Sequence, residues 1–244
     1  MSRVKPVTRL KRSFRRLLVA VGGVALLAAC AQPPTPEYFP LNRGQSWVYQ
    51  KIIERPGGGG VEQVTIRALG AVNRGGKEVF VRRNDDGVEY ALLADASGIY
   101  RVAETLDTDR ETRWDAGPRY VLKAPFAVGT KWEVPTVPYL LRRPTDALRE
   151  LKYSQAALMT YTIEKTDEVI EVGGVRYERV IRVTGVGELR LFADAVSGIR
   201  LFPIKHTEWY APGVGLIKLE RDEVLNASFI TGGKITMELL AHQR

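Results

Sequence analysis

Thr207-Glu208-Trp209-Tyr210-Ala211-Pro212-Gly213-Val214-Gly215-Leu216-Ile217-Lys218-Leu219-Glu220-Arg221 reads as a β-hairpin. Proline holds φ near the turn value and glycine accepts the positive φ that other residues resist, so Pro212 to Gly215 is the expected turn. Beyond it Ile217 and Leu219 alternate with Lys218 and Glu220, the period-two pattern of a strand with one buried and one wet face. On the first arm, Trp209 and Tyr210 are adjacent and so point to opposite faces. Only one can join the core; the other is the candidate contact with a ligand or partner.

The same pattern recurs along the chain. Val64, Ile66 and Ala68 alternate with Thr65 and Arg67, and Ile235, Met237 and Leu239 alternate with Thr236 and Glu238. Turn signals separate such runs at Asn73-Arg74-Gly75-Gly76, Asp85-Asp86-Gly87, Ser97-Gly98 and Gly173-Gly174. Gly57 to Gly60 reads as a flexible hairpin loop; a phosphate-cradling loop would need a following Lys-Ser/Thr and a helix. Short strands joined by tight turns predict a mainly β, antiparallel fold, a sandwich or an open barrel formed by one curved sheet. One short helix is expected over 146–153, capped by Thr145 or Asp146 and carrying Leu148 and Leu151 on its apolar stripe.

An internal repeat organises these strands. Pro40-Leu41-Asn42-Arg43-Gly44-Gln45-Ser46-Trp47 is echoed by Pro125-Phe126-Ala127-Val128-Gly129-Thr130-Lys131-Trp132. Thr65-Ile66 is echoed by Thr162-Ile163, Gly75-Gly76 by Gly173-Gly174, and Asp95 to Ile99 by Asp194 to Ile199. The order is kept and the spacing grows steadily, as a duplication with insertions requires. The expected organisation is one β domain over 39–244, with repeat one at 39–123 and repeat two at 124–244. The repeated tryptophan reads as a core anchor, since a packing residue would be kept in both copies.

The N-terminus carries a separate message. Arg3, Lys5, Arg9, Lys11, Arg12, Arg15 and Arg16 precede an apolar run from Leu17 to Leu27, and no acid occurs before Cys30. The run has secretory-signal length and is shorter than the roughly 20 residues a spanning helix needs. Leu27-Ala28-Ala29-Cys30 resembles the lipobox of bacterial lipoproteins. That resemblance implies that residues 1–29 are a cleaved signal, that Cys30 becomes the lipidated N-terminus, and that 30–38, with Pro33, Pro34 and Pro36, is a tether. The expected location is the cell envelope, outside the cytoplasm and on the outer membrane where the organism has one.

Processing changes the charge argument. The chain has 36 Lys+Arg and 28 Asp+Glu; seven of the basic residues precede Cys30, leaving 29 against 28. A near-neutral mature chain gives no warrant for nucleic-acid binding. One cysteine, the candidate acylation site, and two histidines leave no disulfide and no structural zinc set. Gly213-Val214-Gly215 lacks the third glycine and the helix of a dinucleotide loop. No nucleophile elbow and no His-Glu-x-x-His occur, and a Ser-His-Asp arrangement would have to use His206. Asp85-Asp86 reads as a turn rather than a catalytic carboxylate pair.

Tyr38-Phe39-Pro40-Leu41, with Gly44, Trp47 and Tyr49, together with Trp209-Tyr210-Ala211-Pro212-Gly213-Val214-Gly215-Leu216-Ile217-Lys218, resembles a broad group of bacterial lipoproteins and secreted proteins that carry both motifs. The resemblance implies a mostly antiparallel β domain and brings no catalytic residues. The expected function is a non-enzymatic binding or structural role with no cofactor and no metal. Its partners would be the membrane, through the lipid, and a protein or an apolar ligand. A carrier of lipids or lipoproteins with an apolar cavity, or an envelope hydrolase with a carboxylate site, are the alternatives.

Overall fold

The structure is a computed structural model that describes Met1 and residues 37–141, 157–194, 196, 198–223 and 231–244. Cys30, its leader and the expected helix at 146–153 lie outside the described residues. Twelve strands follow in order: β1 (Ser46–Glu54), β2 (Gly60–Arg74), β3 (Lys77–Asn84), β4 (Glu89–Asp95), β5 (Gly98–Thr105), β6 (Arg113–Lys123), β7 (Lys131–Thr136), β8 (Ala157–Val172), β9 (Val175–Asp194), β10 (Gly198–Ala211), β11 (Gly215–Asp222) and β12 (Lys234–Gln243). No helix occurs among the described residues.

All twelve strands form one antiparallel sheet in the order β6-β5-β4-β3-β2-β1-β12-β11-β10-β9-β8-β7. Each half of the chain is a six-stranded meander, and the pairing of β1 with β12 joins the two, from Ser46 opposite Gln243 to Glu54 opposite Lys234. The edges are β6 and β7. Across their seam Arg119 Nη2 donates to the Pro135 carbonyl at 2.6 Å. Pro118 and Pro135 stand on these edges, where a residue without an N–H discourages pairing with another strand. The fold is therefore an open barrel rather than a two-sheet sandwich.

The expected hairpin is present, with β10 ending at Ala211, β11 starting at Gly215, and Tyr210 opposite Leu216. Gly213 and Gly215 both have positive φ, 71° and 96°, and a Cβ on Gly215 would sit 3.3 Å from the Pro40 ring. The turn is therefore built against residues near the start of the folded chain.

Trp47 lies in β1 and Trp132 in β7, the first strand of each half, with relative exposures of 0% and 4%. Thr65-Ile66 and Thr162-Ile163 fall in the second strands, and the two Gly-Gly pairs link the second strand to the third in each half. Between the last two echoes the first half has two strands, β3 and β4, and the second half has one 20-residue strand, β9.

Trp47 donates its indole N–H to the Val214 carbonyl at 2.7 Å and stacks on His242 at 5.4 Å. Trp132 stacks on Tyr161 at 5.7 Å. Replacing either by Ala should lower the unfolding free energy by about 3–5 kcal/mol, the range for truncating a buried large aromatic. Trp114, 42% exposed, should cost about 1 kcal/mol or less on the same change. Urea denaturation of the three variants checks the ranking.

Candidate functional site

Two irregular segments lie at opposite ends of β11. At its start sits Glu37 to Leu41. Gly213 N–H donates to the Glu37 carbonyl at 2.7 Å, Tyr38 OH donates to the Arg179 carbonyl at 3.1 Å, and Phe39 and Leu41 are buried. At its end sits Val137 to Leu141. Glu223 accepts from the N–H groups of Tyr139 and Leu140 at 2.8–3.0 Å. It also accepts from Arg221 Nε at 2.6 Å, and the Arg221 guanidinium lies 4.1 Å from the Tyr139 ring. An eight-residue strand separates the two segments by roughly 25 Å at 3.3 Å per residue.

Between them is a half-open cavity of about 680 Å³, within the range of small-ligand sites. Its lining comes from Phe39, from strands β1 to β7, β10 and β11, and from Val137 and Tyr139. This is the concave face of the barrel. The floor carries Phe39 and Arg82; the β6–β7 side carries Arg119, Val121, Pro135 and Thr136, with the exposed Tyr139 beside them. Apolar surface is supplied by Phe39, Ile66, Leu92, Val121 and Leu216. The cavity is thus not purely apolar: three arginines, two glutamates and four tyrosines also line it.

Most of those charges are answered locally. Arg101 grips Asp115 with Nε and Nη2 at 2.9 and 2.8 Å and is paired with Glu104. Arg119 shares Asp115 at 3.9 Å. Glu208 accepts from Tyr210 OH at 2.9 Å and meets His206 Nε2 at 3.0 Å. Burial, and then the Glu208 carboxylate, push the Tyr210 hydroxyl well above its ordinary pKa, so it remains a donor. Tyr49 is likewise raised by burial and donates to the Leu216 carbonyl at 2.9 Å.

Arg82 is different. It is 6% exposed. Its guanidinium is sandwiched between Phe39, 3.6 Å from the ring centre, and Trp47, 4.1 Å away. Nη2 donates to the Pro40 carbonyl at 2.6 Å, while Nε has no acceptor among the described residues. Loss of hydration pulls its pKa down to about 10, which still leaves it charged at neutral pH.

The hairpin residues singled out by sequence separate as alternation requires. Tyr210 is buried and lines the cavity. Trp209 is half-buried on the other face, opposite Lys218, whose ammonium lies 5.5 Å from the indole. His206 is buried and engaged by Glu208. Asp85 accepts from Thr65 N–H at 2.8 Å and belongs to the β3–β4 connection. Among the described residues no group of three or more His, Cys, Asp or Glu could hold a metal ion. The residues that sequence reasoning missed are Arg82, Arg101 and Arg119, from three different strands. Adjacent Arg82 and Arg83 were a usable signal, because in a strand one of the two must face inward.

The chain matches no family model and no curated protein. Among solved structures it is similar to a chain from Parabacteroides distasonis described as a candidate lipoprotein. The identity is 11% over 85% of this chain and 99% of that one, with a TM-score of 0.38. It is also similar to a candidate exported protein with a YmcC-like fold from Bacteroides fragilis. There the identity is 11% over 86% and 100% of the two chains, with a TM-score of 0.37. Likenesses this loose assign neither function nor location.

The Arg221–Glu223 pair, 1% and 0% exposed at the side chains, should be the most sensitive polar contact of the cavity's far end. Glu223→Gln leaves Arg221 buried without its counter-charge and should cost about 3–5 kcal/mol. Replacing both residues by apolar side chains of similar volume should recover part of that loss, which a denaturant series on the single and double variants measures.

Proposed function

We propose that this chain is a lipid-anchored envelope protein that binds an amphiphilic molecule in its open barrel without chemically altering it. The observation that carries the reading is the cavity itself. Strands from both halves of the chain wall it, a segment that follows the tether floors it, and apolar and hydrogen-bonding groups are mixed on its surface. Mixed surfaces of this kind suit a ligand with an apolar body and a polar group, since each buried polar group needs a partner. The pairing of β1 with β12 joins the two meanders into the one curved sheet that carries these walls.

A hydrolase is the weaker reading. The lining carboxylates Glu104 and Glu208 are engaged by Arg101 and by Tyr210 and His206 respectively. A general base needs reach to a substrate proton, and these contacts hold both carboxylates against wall residues. A binding role uses the same groups as fixed walls.

The anchor follows from the sequence. Cys30 would place a diacylated N-terminus seven residues before Glu37, and two chains suffice for stable attachment where one does not. Ligand capture would then take place at a membrane surface, where amphiphiles concentrate. Partition and mass spectrometry test this directly. Wild type should enter the detergent phase of Triton X-114 and show an acylated cysteine at its N-terminus. Cys30→Ala should remain in the aqueous phase. An intact, unmodified Cys30 in protein from native membranes would overturn the anchoring.

A further inference from the structure

Arg82 points to the kind of ligand. A guanidinium taken out of water is costly unless a counter-charge or a full set of acceptors answers it. In this cavity Arg101 and Arg119 have Glu104 and Asp115; outside it, the buried Arg221 has Glu223. Arg82 has two aromatic faces and one carbonyl. Among the described residues no carboxylate is paired with it, and its Nε finds no acceptor. Cation–π contacts offset part of the cost and leave a net positive charge on the cavity floor.

We propose that the cavity ligand is an acidic amphiphile, with one carboxylate or phosphate seated against Arg82 and an apolar chain lying along Leu92, Val121, Ile66 and Leu216. This deepens the binding role proposed above and rests on it. Arginine suits the task because its planar fork pairs with carboxylate and phosphate oxygens alike. The sandwich by Phe39 and Trp47 fixes the plane of the fork before the ligand arrives. Tyr49 and Tyr210 hold their hydroxyls neutral, so neither adds a competing negative charge beside an incoming anion. A volume of about 680 Å³ fits a single-chain ligand.

The test uses the full mature chain in lipid nanodiscs, with empty nanodiscs subtracted, titrated calorimetrically with decanoate, decyl phosphate and decanol. The acids should bind about tenfold more tightly than the alcohol, the discrimination expected of one charge-assisted hydrogen-bonded contact. The tighter of the two acids identifies the head as that of a fatty acid or a phosphorylated lipid. Arg82→Gln should bring the acid-to-alcohol ratio close to one, and Arg82→Lys should keep part of it. Because Arg82→Gln can also loosen the floor, the wild-type ratio stands as an independent readout. Equal affinity for acid and alcohol, or an unchanged ratio in a folded Arg82→Gln, would overturn the acidic-ligand assignment and leave the binding reading standing. Absence of binding by all three would overturn the binding reading itself.

Discussion

The stack of Phe39, the Arg82 guanidinium and Trp47 is the contact on which the rest of the site depends. It joins three parts of the molecule: the segment before the first strand, the first strand itself and β3. The same guanidinium reaches the Pro40 carbonyl, while Trp47 reaches the carbonyl of Val214 in the β10–β11 turn. A buried cation is costly, yet here it fixes the path of a segment that has no strand partner of its own. Without that fixing, the cavity would have no floor at this end. Stability and site geometry therefore rest on the same three side chains, and a single change at Arg82 should alter both.

The far end is closed by a different device. Val137 to Leu141 carries N–H groups that no strand satisfies, and buried N–H groups need acceptors. The Glu223 carboxylate supplies them for Tyr139 and Leu140, held by Arg221. One end is thus closed by aromatic stacking on a cation and the other by an ion pair that caps free backbone. Between them the seam of β6 and β7 carries Arg119 and two prolines. It leaves a side opening whose edges resist strand addition.

Much of the fold was legible because β structure announces itself locally. The alternation around Ile217 and Leu219, the Pro212-Gly213 turn and the double-glycine turns all mark strands and connections at short range. The burial of Trp47 and Trp132 could be read from their repetition. The joining of the two meanders into one sheet could not, because the pairing of Ser46 with Gln243 links residues at opposite ends of the folded chain and no local pattern encodes it. The site was hidden for the same reason. Arg82, Arg101 and Arg119 are unremarkable polar residues within their own strands, and only the register of β3, β5 and β6 brings them to one cavity. Alternation put Trp209 and Tyr210 on opposite faces without saying which joins the core; Tyr210 is the buried one, and it also faces the cavity.

The most direct test of this account is the NMR signature of the Arg82 side chain in the mature protein. A guanidinium held between two aromatic faces at 3.6 and 4.1 Å should show ring-current-shifted side-chain protons, slow exchange with solvent, and Overhauser contacts to both Phe39 and Trp47. Random-coil shifts with rapid exchange, or contacts to Trp47 without Phe39, would contradict it. Such a result would mean that Glu37 to Leu41 does not floor the cavity.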